Sequence, residues 1–325
     1  MKIQSGDIFI DIIDNYGDMG WILEFLMMNR LPIFWNIVTN APVKMESFLE
    51  KSGCSLPPFI IIEKEKYDLK KCSNLVILWL HANINFRDIP AWRSVIRINY
   101  LSFDPWYQKI HNTEHILSSS ERPIRELSYS PLCGMGGIWE YKGITRHREN
   151  WLSDIHLPWD LSLKIWIPIF CYEETLTHFD MRNIPENVLI FLIGNPLRES
   201  HLQENILYFP WMKRNDFWDL IDLAEISVLR GEITSARGLR SKKTFLWDMY
   251  KEIGWWNKNE SDLFLDFIKG DRSYREVHTN INTWKPWNIQ NILSLHEKKY
   301  SFLFEEIPDF QKTLKNTLDS FGFSL

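Results

Sequence analysis

The sequence predicts an α/β protein built as two doubly wound, Rossmann-like lobes facing a central cleft. First, apolar runs of strand length recur in both halves. They are Ile8–Ile13, Phe34–Thr39, Phe59–Ile62, Leu75–Leu80 and Ile96–Tyr100, then Lys164–Tyr172, Val188–Ile193, Ile206–Phe209, Ile226–Leu229 and Thr244–Trp247. Second, helical stretches or polar loops separate these runs, as in a parallel sheet covered on both faces. Third, in each half one strand runs into a glycine-bearing turn and then a helix, at the strand's carboxyl end where α/β proteins bind ligands.

Taken in order, Ile8–Ile13 breaks at Asp14-Asn15-Tyr16-Gly17-Asp18-Met19-Gly20 and restarts as an apolar helix over Trp21–Asn29. Pro57-Pro58 and the run Lys64–Lys71 read as surface connections. Ser118–Trp151, with its serine run, Pro123, Pro131 and Gly134–Gly137, reads as an irregular rim, and Arg146–Ile155 as a helix. The second half adds helices at Asp216–Leu223 and Asp262–Lys269. The final segment, Tyr300–Phe321, is amphipathic and long enough to return to the first lobe. The expected domains are therefore 1–157, with the C-terminal helix 300–325 packed back on it, and 158–299.

At 325 residues, 45% hydrophobic and 24% charged, the chain can bury two cores and does not have a disordered composition. A net charge of −5 leaves no footprint for nucleic acid or an anionic membrane. Sixteen Trp and twenty Phe are many for this length, and most are expected in cores, with a few left as stacking surfaces. Cys54, Cys72, Cys133 and Cys171 have neither paired nor metal-ligand spacing, and Cys72 and Cys171 are expected to be buried free thiols. The start has no secretory pattern, and no apolar run approaches the ~20 residues needed to span a bilayer, so a cytoplasmic protein is expected.

Two turns carry the chemistry. Asp14 and Asp18 flank Asn-Tyr-Gly directly after a strand, where acids serve either as helix caps or as groups that orient and deprotonate a nucleophile. Arg230-Gly231-Glu232 follows a second strand and leads into Thr234-Ser235. It is either a capping turn or a helix N-terminus whose free amides favour phosphate. Phe170 and Tyr172 fall on one side of their strand by alternation, as core residues or as a stacking wall. Carboxylates on one turn and amides on the other suggest group transfer from a nucleotide-activated donor. His111-Asn112-Thr113-Glu114-His115 matches an inverted zinc-protease pattern, but no third ligand is identifiable. No Asp-X-Asp occurs in the chain.

In this order the pieces resemble the EarP family, protein-arginine rhamnosyltransferases of bacterial elongation factor P. That family's opening pattern D-I-F-x-x-V-V-D-N-F-G-D-I-G is matched by Asp7-Ile8-Phe9 through Asp14-Asn15-Tyr16-Gly17-Asp18-Met19-Gly20. E-Y-L-S-A-E-D-W is matched by Asn99 through Trp106, and T-G-G-L-x-x-E is echoed by Met135-Gly136-Gly137-Ile138-Trp139-Glu140. S-L-F-C-Y-E corresponds to Pro168 through Glu173, and P-F-x-P-Q-D-D-F to Pro210 through Phe217. R-G-E-D-S-F-V-R-A-Q corresponds to Arg230 through Leu239, and F-V-W-H-I-Y to Phe245 through Tyr250.

The resemblance implies a GT-B fold and an inverting, metal-independent enzyme with no cofactor. Its donor would be TDP-β-L-rhamnose, and its acceptor the loop-tip arginine of domain I of elongation factor P. Asp14, Asp18 and Glu232 match the family's catalytic carboxylates; Asp18 is read as the base and Asp14 as its helper, with the reverse equally open. Tyr16, Gly17, Arg214, Arg230, Gly231, Thr234 and Ser235 would meet the nucleotide sugar, beside an aromatic wall of Phe170, Tyr172, Trp211 and Phe217. Arg230 or Arg237 would neutralise the phosphates. Three positions depart from the family: Ile233 for an acid, Arg214 for a glutamine, and Asn99 for an acid. Arg214 and Ile233 motivate one alternative, a GT-B transferase with another sugar nucleotide or acceptor; another class of reading, a non-catalytic binder of elongation factor P, is opposed by the three retained carboxylates.

Overall fold

The computed structural model describes residues 5–13, 15–28, 31, 33–79, 82–99, 109–129, 138, 146–194, 203–241, 243–249, 251, 258–297 and 309–323. The chain divides into two compact units, Met1–Glu140 with Glu306–Leu325, and Tyr141–Glu305.

The first unit is a sheet of β1 (Ser5–Ile10), β2 (Phe34–Thr39), β3 (Phe59–Glu63), β4 (Leu75–Trp79), β5 (Ser94–Asn99), β6 (Thr113–Glu114) and β7 (Ile124–Ser128). Its order is β3-β2-β1-β4-β5-β7-β6, parallel except where the short β6 pairs antiparallel with β7. Helices α1 (Asn15–Met28) and α2 (Pro42–Lys51) connect the first three strands. All of β4 and nearly all of β1 are buried, which is why their sequences run apolar without alternation. The exception is Asp7, wholly buried in β1. Its carboxylate accepts from Asn36 Nδ2 (2.6 Å), the Tyr67 hydroxyl (2.5 Å), Ser73 N–H (2.5 Å) and Ser73 Oγ (2.9 Å). A buried carboxylate is tolerated only when so satisfied, and this one ties β1 to β2 and to the approach to β4. The C-terminal helix Phe310–Ser320 is capped by Asp309 and sets Phe310 edge-on to Tyr129 at 5.2 Å within this unit.

The second unit has a sheet of β8 (Ile165–Phe170), β10 (Val188–Ile193), β11 (Ile206–Phe209), β12 (Ile226–Arg230) and β13 (Thr244–Asp248). The order is β11-β10-β8-β12-β13, parallel throughout. Counted from its own first strand, this repeats the order β3-β2-β1-β4-β5 of the first unit, although the sequence shows no repeat. A small pair, β9 (Phe179–Asp180) with β14 (Trp287–Asn288), lies apart. The helices are α3 (Arg148–Asp154), α4 (Glu173–Leu176), α5 (Arg214–Leu223), α6 (Glu232–Ser241), α7 (Lys258–Phe267), α8 (Arg272–Asn282) and α9 (Ile289–Glu297).

Two devices hold this unit. Arg148 donates to the carbonyls of Leu223 (2.6 Å), Ser162 (3.2 Å) and Lys164 (3.0 Å), pairs with Glu225, and stacks over Trp166 at 4.6 Å. Its guanidinium thus satisfies the carboxyl end of α5, where orphan carbonyls and the helix dipole favour a cation. At the sheet edge, α8 takes the place of a further strand. Tyr274 donates to Phe245 O, Asn282 Nδ2 to Trp247 O (2.8 Å), and Met249 N–H to Asn282 Oδ1 (2.9 Å). An edge so capped cannot pair with a neighbouring chain.

The structure corrects several expectations. Asp14 lies outside the described residues, but α1 begins at Asn15, so most of the expected turn is the helix's first turn. Its acid, Asp18, suits the positive end of a helix. The rim Ser118–Trp151 contains a buried strand, β7, and α8 and α9 occupy sequence in which no helix is expected. The division falls at Glu140–Tyr141, ahead of α3, where the sequence places it after residue 157. Cys72 and Cys171 are buried free thiols. Among the described residues no helix is long and apolar enough to cross a membrane.

His278, fully buried against Phe264 (5.3 Å between ring centroids), gives a test of this core. Burial, with Lys251 and Arg275 adding to it, pushes its pKa down to about 3. The unfolded chain takes up a proton below about pH 6.5 that the native state refuses. Stability from this group is therefore full above pH 6.5 and is lost as pH falls towards 3, at ~1.4 kcal/mol per pH unit. Urea unfolding between pH 7.5 and 5 should show this slope. His278→Phe should remove that part of the slope whatever its effect on absolute stability; an unchanged slope refutes the account.

Candidate active site

In the second sheet the strand order reverses between β8 and β12, and their carboxyl ends carry the residues singled out in the sequence. β12 ends at Arg230, and Gly231 turns the chain at φ +70°, a left-handed backbone that favours glycine, before α6 starts at Glu232. The Arg230 guanidinium lies 4.3 Å from the centroid of Phe170 and 5.3 Å from that of Tyr172, and donates to Cys171 O at 3.2 Å. Phe217 meets Phe170 edge-on at 5.2 Å. Gly194, just past β10 at φ +82°, borders the same ring, where an added Cβ would lie 3.2 Å from it. Phe170, Tyr172, Phe217 and Arg230 thus form one cluster beside the N-terminus of α6. Tyr172 reaches it as the residue before α4 and not by strand alternation, because β8 stops at Phe170.

Other expected donor residues are placed differently. Thr234 Oγ1 donates to Arg230 O, and Ser235 Oγ to Gly231 O (2.7 Å), so both hydroxyl protons tighten the turn that leads into α6. Arg237 is buried in an ion pair with Asp222, leaving Arg230 as the guanidinium at the turn. Arg214 opens α5, buried, with its guanidinium 5.2 Å over Trp218, while Trp211 is 49% exposed. Glu232 and Ile233 are half-buried at the start of α6.

Asp248, at the end of β13, was not singled out in the sequence. It is 0% exposed and accepts from Tyr172 N–H (2.7 Å), Thr175 Oγ1 (2.9 Å) and Lys251 Nζ (2.7 Å). Its backbone oxygen accepts from Gly231 N–H at 3.4 Å. Burial holds its carboxyl above the usual carboxylate range, with the Lys251 ammonium offsetting only part of that rise. An acid closing an otherwise apolar strand was the available signal, the same one that marked Asp14.

In the first sheet the order reverses between β1 and β4. Asp18, 1% exposed, accepts from Ile13 N–H at Oδ2 and from Trp79 Nε1 at Oδ1, both at 2.9 Å. It therefore joins the turn after β1 to the end of β4. Asp11, just past β1, accepts from Lys64 Nζ (2.5 Å) and Asn83 N–H (2.8 Å). Gly17 lies half-buried within α1, and the side chain of Tyr16 is outside the described residues, as are Tyr100–Trp106 and Met135–Gly137. Asn99 donates to Glu126 at 2.9 Å in the interior.

The H-x-x-E-H pattern does not lie on a helix. Thr113 and Glu114 form β6, His111 Nδ1 accepts from Ser128 N–H, and His115 lies 3.4 Å from Glu126 and stacks on Phe86. Burial pushes His111 down to about 4. Among the described residues no cluster of three His, Cys, Asp or Glu could hold a metal ion.

No protein-family model matches the chain, and no curated protein matches it in sequence. Solved structures do match. Spinosyn rhamnosyltransferase SpnG complexed with thymidine diphosphate is 10% identical with a TM-score of 0.55, over 97% of this chain and 99% of its own. The glycosyltransferase SnogD from Streptomyces nogalater is 8% identical with a TM-score of 0.53, over 98% and 100%. A protein described as a UDP-N-acetylglucosamine 2-epimerase from Listeria monocytogenes is 9% identical with a TM-score of 0.54, over 99% and 97%. A structure of EarP-mediated arginine glycosylation of elongation factor EF-P aligns over 98% and 99% at 14% identity, with a TM-score of 0.48, too low to bear on this chain. At these identities the likeness is one of fold. The chain has the fold of the GT-B glycosyltransferases, with two Rossmann-like domains built on parallel sheets.

Proposed function

We propose that the chain is an inverting glycosyltransferase that moves rhamnose from TDP-β-L-rhamnose to an arginine side chain of elongation factor P. The observation that carries this reading is the turn Arg230-Gly231-Glu232 at the second sheet's order reversal, its guanidinium stacked on Phe170 beside the start of α6. A cation, an aromatic ring and helix amides are what a nucleoside diphosphate needs for its phosphates and base. The collinear motifs from Asp7 to Tyr250 supply the choice of sugar and acceptor. SpnG, of the same fold, binds thymidine diphosphate. With a translation factor as acceptor, the reaction belongs in the cytoplasm.

Arginine is a poor nucleophile because its guanidinium is delocalised and remains protonated. In the proposed reaction a terminal nitrogen attacks C1 of the sugar from the face opposite the diphosphate. The C1–O bond breaks as the C1–N bond forms, TDP leaves with the bonding pair, and the nitrogen gives a proton to a carboxylate. Asp14 and Asp18 supply that carboxylate and hold the guanidinium. Asp18 is held by Ile13 N–H and the Trp79 indole, which gives it little freedom to move. Arg230 and the amides of α6 offset the charge on the leaving diphosphate, so the chemistry asks for no metal. Glu232 stands at the donor end of the reaction.

A second reading keeps the fold and changes the sugar nucleotide or the acceptor, and Ile233 favours it. An apolar side chain at the start of α6 cannot accept a hydrogen bond where the resembled family has an acid. A missing polar partner at a desolvated site costs about 1–3 kcal/mol. Ile233→Asp should raise turnover with TDP-β-L-rhamnose if the first reading holds; lowered turnover would favour the second.

Asp14→Ala or Asp18→Ala should lower turnover about 100-fold or more while leaving TDP binding nearly intact. The double variant retaining wild-type rates would contradict the mechanism. For the nucleotide, TDP at a hundredfold excess over its Kd should stabilise the protein by about 2.7 kcal/mol in thermal unfolding. Phe170→Ala should abolish most of that shift. UDP or GDP stabilising as well as TDP would remove the thymidine assignment.

A further inference from the structure

We propose that Asp248 is a positioning residue for the nucleotide-sugar donor, acting through the single peptide group that joins Cys171 to Tyr172. The N–H of that peptide donates to the Asp248 carboxylate at 2.7 Å, and its carbonyl accepts from Arg230 Nη1 at 3.2 Å. Asp248 therefore orients the acceptor that holds the Arg230 guanidinium over Phe170 and Tyr172. Hydrogen bonds in series through one peptide polarise each other in the same direction. The same residue reaches the turn a second way. Arg230 and Asp248 are register partners on β12 and β13, and the Asp248 carbonyl accepts the N–H of Gly231.

The backbone that aims the carboxylate is itself clamped. Asn282 takes Trp247 O and Met249 N–H, the groups on either side of Asp248. Lys251 supplies the balancing charge, pairing with Asp248 at 2.7 Å and with Thr175 Oγ1 at 2.9 Å, and is itself buried, its side chain 6% exposed. The segments after β8 and β13 thus converge on the Asp248 carboxylate, while the turn after β12 meets the backbone carbonyl of the same residue. A carboxylate serving packing alone would have no need to hold the peptide that grips the guanidinium. The role rests on the reading of this turn as the donor site.

The test compares wild type with Asp248→Asn/Lys251→Met, which removes both charges together and strands neither. TDP affinity is measured by calorimetry, alongside unliganded melting temperature and turnover. The variant should bind TDP about tenfold or more weakly, and its KM for TDP-β-L-rhamnose should rise while its KM for elongation factor P stays unchanged. A variant that binds TDP as wild type does, or that merely loses kcat with both KM values unchanged, overturns the positioning role. Should the double variant fail to fold, Thr175→Val removes only the hydroxyl that bridges Asp248 and Lys251. It should weaken TDP about threefold, and unchanged affinity overturns the proposal. Failure of wild type to bind TDP would overturn the donor reading itself, a result distinct from equal binding by wild type and variant.

Discussion

A carboxylate removed from water must have donors on its oxygens or it destabilises the fold, and in the second unit that constraint organises the loops around Asp248. With no solvent access, its partners can come only from neighbouring chain, and it draws Tyr172 N–H, Thr175 and Lys251 to one point. Meeting that demand places the Arg230-Gly231 turn and the Phe170 ring together. The left-handed Gly231 then lets α6 start immediately beside the guanidinium. Packing, charge and backbone geometry all converge on the same few atoms.

The first unit answers the same demand with different residues. Asp7 is satisfied in the body of β1 by Asn36, Tyr67 and Ser73, far from any turn chemistry. Asp18 is satisfied by Ile13 N–H and the Trp79 indole, which pins the turn after β1 to the end of β4. Trp79 is in turn stacked on Trp21 at 4.2 Å, so the aromatic core of α1 and β4 supports the acid. A preorganised carboxylate costs little reorganisation when charge develops beside it, which suits both holding a guanidinium and receiving its proton.

Much of this was legible in the sequence. The apolar runs located the ten strands expected of them, because parallel strands covered on both faces cannot alternate. Both reversals of strand order fell beside the two segments singled out, although Gly231 sits in a turn and Gly17 within α1. What was not legible has physical causes. β7 lies in a serine- and proline-rich stretch, and its five residues carry two charges, Arg125 and Glu126, that hide the strand period. The side-chain edge made by Tyr274 and Asn282 leaves no local pattern, because its partners lie about thirty residues away on β13. The place of Arg237 after the turn points to phosphate, but helical spacing carries it to Asp222. The roles of Asp248 and Gly194 depend on contacts with Tyr172 and Phe170 from other loops, which only the fold brings together.

The central claim is a reaction, and the product's mass tests it most directly. Elongation factor P carrying arginine at its loop tip is incubated with this protein and TDP-β-L-rhamnose, and its intact mass is measured. The account predicts a gain of one rhamnosyl residue, located on that arginine and absent when Asp14 and Asp18 are both replaced by alanine. An unmodified elongation factor P in the presence of wild-type protein that binds TDP, or modification at a different residue, would contradict it.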